Sequence, residues 1–320
     1  MAIQIILIII GFVLLIKGAD LLVNSASNIA KKFHIPEIII GLTVISIGTS
    51  LPELFISITS ANNGYSDMSI GNVIGSNISN LLLILGLSSI IKSIEFKKET
   101  KLIEIPLCFF ITVLFFTICN IEQNVTRIEG FVFIFLFILF IIYTIVMAFK
   151  GEKFDKIDKS INNKSANFEK KSTFKDICFI ILGIIGLKFG GDFTVENSVI
   201  IAKTLGLSEK IISITILALG TSLPELVTSI SAAIKGKSDI AIGNILGSNI
   251  FNILLIIGIS AIIKPVIYNL SYNTDIMILV LVTTILMIFP LIPPKNKMSR
   301  VNGIIYVSMY FGYIIRLFLI

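Results

Sequence analysis

The six residues Gly-Thr-Ser-Leu-Pro-Glu occur twice in this chain, at 48–53 and at 220–225, each time inside a long apolar segment. A carboxylate in hydrocarbon is costly, and a proline there interrupts the helix that would otherwise satisfy the backbone. Two interruptions in identical words, each carrying an acid, imply an interior organised around them. The pattern points to two glutamates, Glu53 and Glu225, held near the middle of a bilayer by two broken helices. That is the description of a cation site.

The chain has 320 residues, of which 55% are hydrophobic and only 14% charged, and a mean hydropathy of +0.97. Uncharged runs of about twenty residues, such as 130–149, are long enough to cross the hydrocarbon as helices. The amino-terminal Met-Ala-Ile-Gln-Ile-Ile-Leu lacks the basic region of a cleaved signal, so its apolar run reads as a retained span. Cys108, Cys119 and Cys178 share no metal-like or redox spacing and read as packing residues. The single histidine, His34, lies in a loop beside Lys31 and Lys32 and reads as solvated, and one histidine cannot form an HExxH motif, so neither an enzyme nor a prosthetic cofactor is expected.

Charged punctuation divides the chain into ten candidate spans, at 3–23, 38–61, 69–91, 103–120, 129–149, 177–195, 210–234, 240–263, 274–293 and 302–319. Loops following the odd-numbered spans hold nineteen Lys and Arg, eight of them between 150 and 175. The opposite side holds five: Arg127, Lys203, Lys210, Lys264 and Arg316. The positive-inside bias therefore places both termini outside and the 150–175 loop in the cytoplasm. The net charge of +6 is explained by this asymmetry, with no need for a nucleic-acid partner.

Adding 172 to each residue number superposes the two halves without a gap, and between 48 and 80 the residues match at 21 of 33 positions. Asp20 falls on Asp192, Glu53 on Glu225, Asn80 on Asn252 and Ser88 on Ser260. Five spans per half is an odd number, so the second half enters the membrane from the other side. The expected fold is an all-α integral membrane protein of ten transmembrane helices, two inverted five-helix repeats with broken helices at the midplane. Residues 1–149 form the first repeat, 150–175 a solvated cytoplasmic linker and 176–320 the second repeat.

Pro52 lacks an amide hydrogen and crowds the carbonyl four residues back, so carbonyls around Ser46–Thr49 are expected to turn toward a cavity. Those carbonyls, the hydroxyls of Ser50 and Ser76 and the Glu53 carboxylate are hard oxygen donors, suited to Na⁺ and Ca²⁺ rather than to copper or zinc. Ser76 and Asn80 share one helix face, as do Ser248 and Asn252. Gly71, Gly75, Gly243 and Gly247 are spaced by four and read as close-packing positions. Any single hydroxyl could equally bond back to its own helix. Glu53 and Glu225 have no comparable bland reading, because no Lys or Arg lies near them in their own spans. Lys17 with Asp20, and Lys188 with Asp192, are spaced to form intrahelical ion pairs.

The blocks Gly-Thr-Ser-Leu-Pro-Glu with Gly-Asn-Val-Ile-Gly-Ser-Asn, and Gly-Thr-Ser-Leu-Pro-Glu with Gly-Asn-Ile-Leu-Gly-Ser-Asn, resemble the alpha repeats of the sodium/calcium exchangers, within the calcium/cation antiporter superfamily. The resemblance implies ten helices, with Glu53 and Glu225 as carboxylates shared by Ca²⁺ and Na⁺. It implies that backbone oxygens of Thr49 and Thr221 complete Ca²⁺ binding. Ser50 with the Ser46 carbonyl, and Ser222 with that of Ala218, would form flanking Na⁺ sites. Ser76, Ser248, Asn80 and Asn252 would line the centre. Asn252, where the potassium-dependent branch carries Asp, implies exchange without K⁺. The family's exchange of three Na⁺ per Ca²⁺ would move one net charge. A H⁺/Ca²⁺ exchanger is the alternative, since both glutamates can bind protons; a cation channel is a more distant one. Oligomeric state is left open by the sequence, with a monomer allowed.

Overall fold

The computed structural model describes residues 2–62, 66–161, 173–205, 218–293 and 295–319. It is helical apart from four two-residue strands. In chain order the elements are α1 (Ala2–Lys32), α2 (Glu37–Thr49), α3 (Leu51–Asn62), α4 (Ser69–Ile91), β1 (Ile94–Glu95), α5 (Thr100–Glu122), β2 (Asn124–Val125) and α6 (Arg127–Ile161). The second half supplies α7 (Thr173–Thr204), α8 (Ala218–Thr221), α9 (Leu223–Ile234), α10 (Ser238–Ile263), β3 (Val266–Ile267), α11 (Leu270–Leu291), β4 (Lys297–Met298) and α12 (Arg300–Leu319).

Among the described residues seven of these helices are long and apolar enough to cross a membrane, and the bent pair α2–α3 makes an eighth. Of the ten expected spans, 210–234 lies partly outside the described residues and is represented by α8 and α9. The expected last span is the 20-residue helix α12. The start of the expected 150–175 linker continues the α6 helix as far as Ile161, and α7 begins at Thr173.

The most enclosed helices are those that carry the duplicated Gly-Asn blocks. Over their most apolar 18 residues, α10 and α4 are 83% and 72% buried, against 17% for α6. Large apolar side chains on α6, such as Phe131 and Phe135, point outward. That is how a helix facing hydrocarbon, rather than a protein core, distributes its residues.

The halves are tied together by contacts that recur at the 172-residue offset. Strand β1 pairs with β4, and β3, the counterpart of β1, pairs with β2. Helices α1 and α7 pack antiparallel along glycines. A Cβ on Gly18 would lie 2.8 Å from the Gly183 carbonyl, and one on Gly183 the same distance from the Gly18 carbonyl. Gly11 and Gly190 repeat the arrangement one step along. Backbones approach this closely only where side chains are absent.

Two sequence expectations change on contact with the structure, and a related one holds. Lys188 does pair with Asp192, at 3.1 Å. Asp20, however, is bonded to Lys235 at the end of α9, 2.5 Å away, not to Lys17. A partner on a neighbouring helix competes with the intrahelical one, and spacing alone cannot reveal it. Of the four glycines read as packing positions, Gly243 and Gly247 meet the α2 backbone and Gly71 meets the ring of Tyr272, whereas Gly75 has nothing within 4 Å.

Candidate ion-binding site

Pro52 both ends α2 and starts α3. Its missing N–H would be needed within a continuous helix, but not at the second position of a new one. The chain turns at Ser50, with φ −87° and ψ 9°, and the helices on either side diverge by 47°. Ser222 repeats the turn at φ −86° and ψ 5°. Both breaks leave a glutamate in the first turn of the following helix, where the helix dipole favours a negative charge. Glu53 and Glu225 are each 1% exposed.

Each acid is served by the other half's break. The Ser50 hydroxyl donates to Glu225 Oε1 at 2.7 Å, and Ser248 approaches the same oxygen at a marginal 3.5 Å. Thr49 also faces Glu225. In the mirrored arrangement Thr221 and Ser222 face Glu53, although the Ser222 hydroxyl makes no well-formed bond. The two carboxylates lie within electrostatic reach of one another. Among the described residues neither is paired with a Lys or Arg.

Around them sit oxygens that no donor satisfies. Buried and unpartnered are Glu53 Oε2, Glu225 Oε2, Ser76 Oγ, Ser222 Oγ, Asn80 Oδ1 and Asn252 Oδ1. The glutamate and asparagine atoms form pairs under the 172-residue offset. Buried oxygen is normally bonded, so this concentration of unbonded acceptors leaves the region electronegative and without an internal counter-charge. Among the described residues no group of three His, Cys, Asp or Glu could hold a metal. Two carboxylates with neutral hydroxyl and amide oxygens suit a hard cation carried as substrate.

Some hydroxyls take the bland role. Ser46 bonds back to the Leu42 carbonyl at 2.8 Å. The Ser46 carbonyl accepts from the Ser50 amide at 3.0 Å and from the Thr49 hydroxyl at 3.3 Å. On the other side, Ala218 is the first described residue of α8. A surface recess of about 450 Å³, lined by Glu37, Lys92, Lys97 and Asp239 among others, shares no residue with the site.

Four asparagines to which the sequence analysis gives no site role, Asn72, Asn77, Asn244 and Asn249, brace the site. Asn77 donates to the Asn249 carbonyl at 3.2 Å, and Asn249 to the Asn77 carbonyl at 3.4 Å. Asn80 donates to Asn249 Oδ1 at 3.0 Å and Asn252 to Asn77 Oδ1 at 2.9 Å, which turns the carbonyl ends of Asn80 and Asn252 free. Asn72 bonds Ser57 at 3.1 Å and the Glu53 carbonyl at 3.3 Å. Asn244 bonds Ser229 at 2.9 Å and accepts from Thr49 at 3.1 Å. The signal available in the sequence was recurrence at 172, which marks these four as firmly as it marks the glutamates. Wide π-turns at Ser79–Leu85 and Asn252–Ile257 adjoin the asparagines, and they had no readable signature.

A helical membrane protein whose two halves bring paired acids and unbonded oxygens to one buried point is an antiporter of Ca²⁺ and other cations. The chain belongs to the sodium/calcium exchanger family, whose model matches residues 3–146 and 175–319. It is 35% identical to the inner membrane protein YrbG of Escherichia coli K12 over 87% of this chain and 86% of that protein. It is 32% identical to the sodium/calcium exchanger MaX1 of Methanosarcina acetivorans, over 98% of both chains. The solved structure of the sodium-calcium exchanger NCX_Mj, soaked with Na⁺ and Ca²⁺, superposes with a TM-score of 0.83 at 30% identity, covering 98% of this chain and 97% of that one.

Proposed function

We propose that this chain exchanges Na⁺ for Ca²⁺ across the cell membrane by alternating access. The observation that carries the reading is the pair of buried glutamates, each facing hydroxyls of the opposite half and each with one unbonded oxygen. One Ca²⁺ cancels their two charges, and two Na⁺ cancel them equally well, so the ions compete for one neutralising role. In this reading Glu53 and Glu225 are shared by both ions, and backbone oxygens of Thr49 and Thr221 complete the Ca²⁺ site. Ser50 with the Ser46 carbonyl, and Ser222 with that of Ala218, hold flanking Na⁺. Ser76, Ser248, Asn80 and Asn252 line the centre.

The same reading takes ten spans as two inverted repeats, with both termini outside and the 150–175 segment cytoplasmic. Exchange of three Na⁺ per Ca²⁺ would be electrogenic, each cycle drawing about 2.3 kcal/mol per 100 mV. Asn80 and Asn252 add no third charge, which supports exchange without K⁺. Calcium uptake into proteoliposomes preloaded with Na⁺, with K⁺ or with a proton gradient tests this. Uptake driven by Na⁺ alone is expected. Uptake driven by pH and indifferent to Na⁺ would assign the chain to H⁺/Ca²⁺ exchange, and Ca²⁺ flux down its own gradient that needs no counter-ion would assign it to a channel.

A further inference from the structure

One buried oxygen outside the duplicated blocks has no place in the site so far described. The Thr228 hydroxyl, on α9, is wholly buried and has no hydrogen-bond partner. Helical threonines with no other task bond back to the carbonyl four residues earlier, as Thr43, Thr112, Thr194 and Thr284 do here. Thr228 does not use that acceptor, so its hydroxyl is turned away from its own backbone. It stands three residues beyond Glu225, on the same side of the helix. Three residues further on, Ser231 donates to the Asp20 carboxylate at 3.0 Å, and the Asp20 side chain is 41% exposed. Glu225, Thr228 and Ser231 thus place an oxygen at every third position, from the buried acid to the half-exposed end of α9. The other half lacks this line. The counterpart of Thr228 is Ile56, apolar and 37% exposed.

We propose that the Thr228 hydroxyl is a ligand for the transported cation on one side of the site only, a station between Glu225 and the end of α9 marked by Lys235. The inference rests on the exchanger reading, which puts that end in the cytoplasm. It makes the two directions of access chemically unequal in a protein whose acids are duplicated. An ion leaving Glu225 toward Lys235 exchanges one oxygen for another, whereas the opposite route meets Ile56.

The test compares wild type with Thr228→Val, Thr228→Ser and the mirror change Ile56→Thr in oriented proteoliposomes, titrating Ca²⁺ and Na⁺ separately from each face. Thr228→Val is expected to raise the half-saturating concentration at the cytoplasmic face by about tenfold, the size of one lost oxygen ligand. The other face should change little. The melting temperature of Thr228→Val should rise, because an unpaired buried hydroxyl is removed without loss of volume. Thr228→Ser should retain wild-type values. Ile56→Thr should lower the half-saturating concentration at the extracellular face. Unchanged titrations of Thr228→Val in a working exchanger would overturn the inference, as would an equal loss at both faces or a variant that fails to fold. Absence of Ca²⁺ exchange in the wild type would instead overturn the parent reading, and the melting temperatures would still report whether the hydroxyl is unpaired.

Discussion

The Asp20 carboxylate lies 2.5 Å from the Lys235 ammonium, joining α1 of the first half to the end of α9, the helix that carries Glu225. The counterpart of Lys235 is Asn63, so the duplicated half cannot make this pair. Both partners are partly exposed, which limits the pair to about 0.2–1 kcal/mol of stability. Asp20→Asn should therefore lower the unfolding free energy by less than about 1 kcal/mol. The swapped variant Asp20→Lys with Lys235→Asp should recover most of the loss. Thermal unfolding in detergent gives both values, and a swap no better than the single change would show that the contact is incidental.

Glu53→Gln and Glu225→Gln should each abolish Ca²⁺ uptake while leaving the fold intact. A neutral amide is cheaper to bury than an unpaired carboxylate. Saturating Ca²⁺ should stabilise the wild type by about 2.7 kcal/mol at a hundred times its dissociation constant. Neither variant should show this gain. A Ca²⁺-dependent rise in melting temperature that survives in Glu225→Gln would remove that residue from the site.

The helix breaks, the two acids and the pairing of halves were legible because each is a local violation repeated at a fixed offset. Pro52 and Pro224 must interrupt a helix wherever they stand, and Glu53 and Glu225 must find a counter-charge. What could not be read was the choice among partners. Asp20 takes Lys235 over Lys17, since residues 215 apart become neighbours only after folding. Ser46 and Ser50 have the same chemistry, yet Ser46 bonds its own helix and Ser50 reaches Glu225. Only the relative placement of helices decides that. The π-turns beside Asn80 and Asn252 are likewise a consequence of packing, invisible in side-chain periodicity.

Asn77 and Asn249 each donate to the other's backbone carbonyl and accept from Asn252 and Asn80. Removing one amide leaves at least two buried groups without partners, at about 1–3 kcal/mol each. Asn77→Ala and Asn249→Ala should each destabilise by at least that much. The double variant should fall short of their sum, because the groups orphaned by the first change are partly those removed by the second. Strict additivity in chemical or thermal unfolding would mean that the two asparagines act independently.

Gly75 and Gly247 occupy equivalent places in the two halves and should respond in opposite ways to one methyl group. At Gly247 a Cβ would lie 2.6 Å from Ser46 Oγ, 2.7 Å from the Leu42 carbonyl oxygen and 2.8 Å from the Leu42 Cα, so moving the serine side chain alone would not clear the backbone. Gly247→Ala should push α10 away from α2, lower the melting temperature and impair exchange, since α10 carries Ser248 and Asn252. At Gly75 no atom lies within 4 Å. Alanine there removes backbone freedom from the unfolded chain, which favours the helix by up to about 1 kcal/mol. Gly75→Ala should thus melt no lower than wild type. Sequence alone assigns both glycines the same packing role, so equal destabilisation of the two variants would contradict the asymmetry described for α4 and α10.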